Sequence, residues 1–452
     1  MEKMNQISMQ DMIQSLLEKK RFTSLKDVFN TMNAADISAI FEELPDAALP
    51  LLFRLLPKEL AADTFVEMSS DLQEMLITGF SDSELREVVD ELYVDDAADL
   101  IEEMPANVVS RILQQADPEK RRMINEILNY PDDSAGSIMT TEYVSLRPTM
   151  TVSEAICRIR QVGVDKETIN TCFVVDDKRR LLGALTIRTL ILANDETKLS
   201  ELMQANTVSA TTLEDQESVA GKLAKYDLTS IPVVDGEERL VGIVTIDDAV
   251  DVLVEEATED IEKMAAITPS DKPYMKTSVW EIWWKRIPWL LLLMISATFT
   301  GMIITGFENA LAKVVVLTAY IPMLMDTGGN TGSQASVSVI RSLSLNEVEF
   351  RDIFRIIWKE FRVSILCGLS LAIVGFAKLM ILDRVGLSVA AVVSLTLVLT
   401  VVAAKIVGCT LPLVAKKIGF DPAVCASPFI TTIVDALSLL IYFAIATRAL
   451  GL

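Results

Sequence analysis

The run Ala423-Val424-Cys425-Ala426-Ser427-Pro428-Phe429-Ile430-Thr431-Thr432-Ile433-Val434-Asp435-Ala436-Leu437-Ser438-Leu439 continues apolar to Thr447 and carries one carboxylate in its middle. A segment of about 20 apolar residues crosses a bilayer. A charge at membrane depth costs at least about 2.5 kcal/mol on insertion scales, so such a residue faces a bundle interior or a water-filled path. Asp435 is therefore expected to line a cation pathway.

Four more spans are expected before it, at about 287–306, 311–340, 362–382 and 387–415, with the last at 423–447. Trp280, Trp283, Trp284 and Trp289, mixed with Lys285 and Arg286, suit a headgroup belt. Lys285, Arg286, Arg341, Arg351, Arg355, Lys359, Arg362, Lys416 and Lys417 fall in alternate loops, which predicts a cytoplasmic N-terminus and an outside C-terminus. The second span reads Pro322-Met323-Leu324-Met325-Asp326-Thr327-Gly328-Gly329-Asn330-Thr331-Gly332-Ser333-Gln334 and is too polar to face lipid. An interrupted helix at membrane depth is tolerated only where it is buried or lines a wet cavity, so carbonyls here and the Asn330 amide are candidate ion ligands. Close packing through small residues would account for the glycines but not for Asn330 or Gln334.

Charge is divided unevenly. Of 63 acids and 41 bases, 10 and 14 follow residue 280, leaving 53 and 27 in front and net charges of −26 and +4. A front half this acidic is repelled by phosphates, which argues against nucleic acid and anionic lipid and leaves cations as the natural partners. Histidine is absent, removing the commonest general base and transition-metal ligand. Cys157, Cys172, Cys367, Cys409 and Cys425 are scattered without a CxxC, so neither zinc nor a disulfide framework is supported. No signal peptide precedes the polar start, and no nucleophile stands beside a base; the chain does not read as an enzyme.

Residues 1–133 read as an all-α, acidic helical-repeat domain, in which Asp36 to Pro45 is echoed by Asp96 to Pro105 at an offset of 60 residues. Further on, Thr171-Cys172-Phe173-Val174-Val175-Asp176 with Leu181-Leu182-Gly183-Ala184-Leu185 recurs 59 residues later as Ser230-Ile231-Pro232-Val233-Val234-Asp235 with Leu240-Val241-Gly242-Ile243-Val244. Two β-β-α copies of this kind resemble a tandem pair of cystathionine-β-synthase (CBS) domains, at 134–199 and 200–258. Between them and the membrane, Asp248, Asp251, Glu255 and Glu259 fall on one face of a helix that continues as a connecting segment, 259–280. Like charges at i,i+4 destabilise a helix by a few tenths of a kcal/mol each, and a bridging cation relieves this. Carboxylate oxygens without sulfur or imidazole favour Mg²⁺ or Ca²⁺.

The order of acidic helical domain, CBS pair, Glu256-Ala257-Thr258-Glu259-Asp260-Ile261 connector, Gly328-Gly329-Asn330-Thr331-Gly332-Ser333-Gln334 and Asp421-Pro422-Ala423 with Asp435 resembles the MgtE family of magnesium channels over essentially the whole chain. The resemblance implies a multi-pass homodimer in the plasma (bacterial inner) membrane, with a five-helix all-α transmembrane domain, 281–452. Its pore would be lined by spans two and five, placing Asp435, Asn330, Gly328, Gly329, Pro428, Thr431 and Thr432 along it. Mg²⁺ sensing would fall on Glu59, Asp95, Asp96, Glu217, Asp227, Asp248, Asp251, Glu255, Glu256, Glu259, Asp260 and Asp421, and the CBS pair is a candidate ATP site. Mg²⁺ would thus be both cargo and the ion that closes the channel. A secondary transporter of divalent cations and a nucleotide-sensing membrane scaffold are the rival readings. Asp326 and Lys405 lie outside the motif; Lys405 is expected to meet Asp326 or a cluster of carbonyls.

Overall fold

A computed structural model describes residues 2–270, 274–275, 277–345, 347–425 and 427–451. The chain divides into two compact units, Met1–Leu253 and Val254–Leu452, and the division falls inside one helix. Ala426 of the last span, and 271–273 and 276 within the connecting segment, lie outside the described residues.

The first unit begins with ten helices: α1 (Glu2–Glu18), α2 (Phe22–Phe29), α3 (Ala34–Phe41), α4 (Leu49–Phe53), α5 (Lys58–Val66), α6 (Ser70–Gly79), α7 (Asp82–Glu91), α8 (Val94–Glu103), α9 (Ala106–Gln115) and α10 (Pro118–Ile127). Pro57 and Pro105 sit at the N-caps of α5 and α9, and Pro118 opens α10, where its missing N–H leaves no bond unmade. Ser81 and Glu84 form a capping box at α7. Alternate helices stack, α3 on α5, α5 on α7 and α7 on α9, as a helical repeat requires. Phe29, Phe41 and Phe65 are fully buried in the core so formed.

Two small sheets follow. β1 (Tyr143–Leu146), α11 (Val152–Val162), β2 (Thr168–Val175), β3 (Leu181–Thr186) and α12 (Ile187–Leu192) make the first copy. After α13 (Leu199–Leu202), the second copy is β4 (Ala210–Thr211), α14 (Gln216–Tyr226), β5 (Ser230–Val234), β6 (Leu240–Thr245) and α15 (Ile246–Met264). In each, the first strand runs parallel to the second and the second pairs antiparallel with the third. The duplication extends to the turns: Asp176 Oδ1 accepts the amides of Lys178 and Arg180 at 2.8 Å, and Asp235 Oδ1 those of Glu237 and Arg239 at 2.9 Å. Of the connecting helix expected at 259–280, residues 259–264 are the end of α15, which runs unbroken out of the second copy because no Gly or Pro interrupts 246–264, and Val279 already opens α16. On its apolar side Val250, Val254 and Ile261 are exposed.

The second unit holds α16 (Val279–Gly306), α17 (Glu308–Lys313), α18 (Ile321–Ser344), α19 (Ile353–Ile381), α20 (Leu387–Ile418) and α21 (Ser427–Leu450). Among the described residues, four helices are long and apolar enough to cross a membrane, those containing α16, α19, α20 and α21. The other long helix of this unit, α18, is more polar, and it packs against both α20 and α21. It begins at Ile321 rather than near 311, because a turn of 3-10 helix at Val315–Tyr320 separates it from α17. Trp280, Trp283 and Trp284 are exposed near the start of α16, where an interfacial belt would place them.

Candidate ion path and cation sensor

Helix α18 is continuous from Ile321 to Ser344, which corrects the expectation of an interrupted span with freed carbonyls. Its glycines serve contact. A Cβ on Gly328 would stand 2.8 Å from Ser438 Oγ and 2.9 Å from Val434 Cγ1; one on Gly329 would meet Thr431 Cγ2 at 2.8 Å; one on Gly332 would meet Ile430 Cγ2 at 2.9 Å. Rising numbers on α18 thus meet falling numbers on α21, so the two helices run antiparallel in close contact. Gly408 of α20 abuts the Gly332 carbonyl, backbone against backbone. Gly328 and Gly329 are buried by this packing, so they set the helix spacing and offer no side chain to an ion.

With the small residues turned inward, the opposite face of α18 is polar and uncovered. Asp326, Asn330, Gln334 and Ser338 recur every fourth residue, and all four are exposed. Asp435 on α21 is half-buried, and its carboxylate makes no hydrogen bond or ion pair among the described residues. Asp326 is near enough to act on it electrostatically. One turn before Asp435, the hydroxyls of Thr431 and Thr432 both donate to the Pro428 carbonyl, at 2.9 and 3.0 Å. Their own protons being used, these oxygens present lone pairs, which suits the water shell of a cation.

Lys405 is 5% exposed and pairs with Glu360, Nζ to Oε2 3.2 Å. This corrects the expectation that it meets Asp326 or carbonyls; Glu360 on α19 is reached because α19 and α20 pack along their length. With Lys405 so held, Asp435 has no protein counter-ion among the described residues.

In the connector, Lys263 Nζ lies 2.6 Å from Glu259 Oε1 and 2.7 Å from Asp421 Oδ2. Burial works to lower the pKa of this ammonium, but the bonds to Asp421 and Glu259 outweigh it and hold it above the usual lysine range. Asp260 accepts from Ser344 at 3.5 Å, and burial, then Asp421, raises its carboxyl. Glu259 and Asp421, expected among the sensing acids, meet here through Lys263, an i,i+4 partner of Glu259 that the sequence reading did not single out.

In the first unit, the acids of α8 meet those of the CBS pair. Asp95 is buried, and one of its oxygens has no hydrogen-bond partner among the described residues. Burial raises its carboxyl well above the usual range, and Asp96, Asp248 and Glu167 raise it further. Asp96 is pushed up to about 6 by burial and Asp248, and Glu167 to about 8 by burial, Asp96 and Asp248. Glu142 joins them, accepting the Val94 amide at the start of α8 at 3.1 Å. Asp248 also caps α15 through Thr245, which is its structural role. Asp251 is raised by burial and by Asp247. The sequence named Asp95, Asp96, Asp248 and Asp251; it missed Glu142 and Glu167, which reach the cluster from loops and strand ends with no local signal.

Other expected acids are elsewhere. Glu59 adjoins Asp63 on α5. Glu217 and Asp227 stand ten residues apart at the two ends of α14, roughly 15 Å along its axis, so one ion cannot bind both within a chain. Glu255 and Glu256 lie on α15, the first exposed and the second half-buried.

Among the described residues, no three Asp, Glu or Cys side chains stand close enough to grip a bare metal ion. The donor set nonetheless fits Mg²⁺, which holds its octahedral waters and binds through one or two carboxylates at a time. The buried, partnerless Asp95 oxygen is the observation that favours a cation there.

The CBS pair also carries a cavity of about 490 Å³ whose polar lining is basic: Arg147, Arg158, Lys166 and Arg179, with Tyr143. Arg179 donates to Tyr143 Oη at 3.0 Å and to the Leu240 carbonyl at 3.2 Å, which fixes its guanidinium at the wall.

Comparison with known proteins agrees with this layout. A profile described as "Divalent cation transporter" matches residues 321–445, one described as "MgtE intracellular N domain" matches 32–133, and CBS domain matches fall at 135–196 and 199–255. The chain is 38% identical to the magnesium transporter MgtE of Thermus thermophilus, over 96% of this chain and 97% of that protein. It is 35% identical to the MgtE of Bacillus subtilis, over 96% and 95%. Among solved structures, the cytosolic domain of the Mg²⁺ channel MgtE in complex with ATP is similar at 38% identity with a TM-score of 0.51, covering 53% of this chain and 98% of that one. The soluble part of a magnesium transporter is similar at 28% identity and 0.53, covering 56% and 99%.

Proposed function

The chain belongs to the MgtE family of magnesium transporters, which is not an enzyme family, and from that premise we propose that it is a Mg²⁺ channel closed by cytosolic Mg²⁺. The carrying observation is Asp435, half-buried beside the polar face of α18 and lacking a counter-ion among the described residues, since Lys405 is already held by Glu360. A polar face at membrane depth cannot meet lipid. A second copy of the chain facing it across a water-filled axis covers it and doubles Asp435 to two carboxylates. Two carboxylates attract a divalent ion without stripping its waters, as Mg²⁺ requires. The positive loops support a cytoplasmic first unit.

Regulation follows from the acids of the first unit and the connector. Without Mg²⁺ they repel one another; with it, ions draw α8, the CBS pair and α15 together, and α15 carries the change as one helix into the segment held at Asp421. A site formed only in the closed state contributes RT ln(1 + [L]/Kd), about 1.4 kcal/mol at tenfold Kd. About four such sites reach the roughly 5.5 kcal/mol that turns a 1:99 equilibrium into 99:1.

Flux of Mg²⁺ into proteoliposomes, wild type against Asp435→Ala, is the test. Loss of flux in the variant is expected; flux at the wild-type rate would exclude Asp435 from the path, and no flux in either would favour a nucleotide-sensing scaffold. Currents too small for a channel would instead favour a secondary transporter with Asp435 as its coupling site. The basic cavity of the CBS pair supports a nucleotide as second effector. The related cytosolic domain carries ATP, and the same ligand is proposed here, its phosphates on Arg147, Arg158 and Lys166; ATP binding by calorimetry, lost in Arg158→Gln, tests it.

A further inference from the structure

Asp326 belongs to no part of the mechanism above, yet its position is unusual. It is exposed, one helical turn before Asn330 on the uncovered face of α18, and its carboxylate makes no hydrogen bond or ion pair among the described residues. Two lysines of the bundle are taken: Lys405 by Glu360 at 3.2 Å and Lys378 by Asp383 at 3.1 Å. Packing does not explain it either, because the inward face of α18 is the glycine face, locked to α21 through Gly328, Gly329 and Gly332. Asp326 and Gly329, three residues apart, lie about 60° apart around α18, so the lock holds Asp326 beside the seam with α21, near enough to Asp435 to act on it. Five residues into α18 from Ile321, it lies toward the end of the helix opposite Arg341. In the orientation proposed above that is the outer end, so an incoming ion meets Asp326 before Asn330 and the level of Asp435.

We propose that Asp326 is a second carboxylate of the ion path, which collects hydrated Mg²⁺ at the outer side and hands it to Asp435. This rests on the reading of Asp435 as the path's inner carboxylate. Two negative groups in series, each doubled by a second copy, raise the local cation concentration. A charge that attracts an ion before the narrow part of a path changes the concentration at which flux half-saturates more than the maximal rate.

The test is Mg²⁺ uptake by the full-length protein in proteoliposomes over a range of external Mg²⁺, for wild type, Asp326→Asn, Asp326→Ser, Asp326→Glu and Asp435→Asn. For Asp326→Asn, the half-saturating concentration is expected to rise about tenfold with a smaller change in maximal rate, and Asp326→Glu to restore the wild-type value. Because Asp326 is exposed, Asp326→Ser offers a smaller side chain should the amide variant fail to fold, and it is expected to behave like Asp326→Asn. If the neutral variants keep the wild-type concentration dependence, or lose maximal rate alone, while Asp435→Asn abolishes flux, the proposal for Asp326 is overturned and the path through Asp435 stands. If Asp435→Asn also conducts as wild type, the path reading itself fails.

Discussion

Lys263 and Asp421 are joined by an ion pair of 2.7 Å, with Glu259 completing a carboxylate-ammonium-carboxylate bridge between the connector and the mouth of α21. The protein's own ammonium therefore sits where the sequence led one to expect Mg²⁺, and an incoming ion must displace it. Lys263 acts as a tether that needs no metal. Lys263→Met is expected to raise flux at zero cytosolic Mg²⁺ and to steepen the Mg²⁺ dependence of closing, since one more ion then binds. Patch recordings on inside-out membranes read both; unchanged flux at zero Mg²⁺ would show that the bridge bears no gating force.

The buried pair of Lys405 and Glu360 gives a second prediction. Removing one partner leaves a charge buried and unpaired, which costs about 3–5 kcal/mol, whereas replacing both by apolar groups is close to neutral. Lys405→Met alone is thus expected to lower the unfolding temperature in detergent sharply, and Lys405→Met with Glu360→Met to recover most of it. Recovery of less than half would mean that the pair does more than satisfy its own charges.

At the seam between α18 and α20, Gly408→Val should be more harmful than its gain in helix propensity suggests. Replacing glycine in a helix gains up to about 1 kcal/mol. A Cβ there falls on the Gly332 carbonyl, and overpacking costs about 1–3 kcal/mol or more. The clash wins, and reduced expression and thermal stability are expected, measured by fluorescence-detected size exclusion.

The raised carboxyls of the sensor predict a pH dependence with a definite sign. Asp96 near 6 and Glu167 near 8 bind protons in the folded state at pH values where the unfolded chain, with carboxyls at about 4, has lost them. The folded state then holds more protons, so the stability of the metal-free protein falls as pH rises through about 4 to 8 and levels off above. Mg²⁺ competes with those protons and should raise the unfolding temperature more at about pH 8 than at about pH 5. An unfolding temperature flat across that window would contradict the crowding of these acids.

Much of this was legible in the chain because it is written locally. The doubled β-β-α units reveal themselves by repeated apolar runs 59 residues apart, and the identical Asp176 and Asp235 turns show why the repeat is kept to the atom. Asp435 stood out because a carboxylate in an apolar run has no cheap explanation. What escaped was non-local. Glu142 and Glu167 reach α8 only through the tertiary fold, and Glu360 is 45 residues from Lys405. The glycines of α18 suit either an unwound helix or one pressed flat against its neighbours, and Asn330 and Gln334 tipped the expectation toward the break because composition does not distinguish the two.

That flatness has a mechanical consequence. With hydrogens in place of side chains along 328, 329 and 332, α18 meets α20 and α21 like a key with one flat side, and it cannot be turned in its slot. Each residue of an α-helix advances the angle by about 100°, so inserting a single residue between Asn330 and Gly332 would swing Asp326 and Asn330 a quarter turn or more away. Such an insertion, chemically mild, is the change this bundle can least absorb.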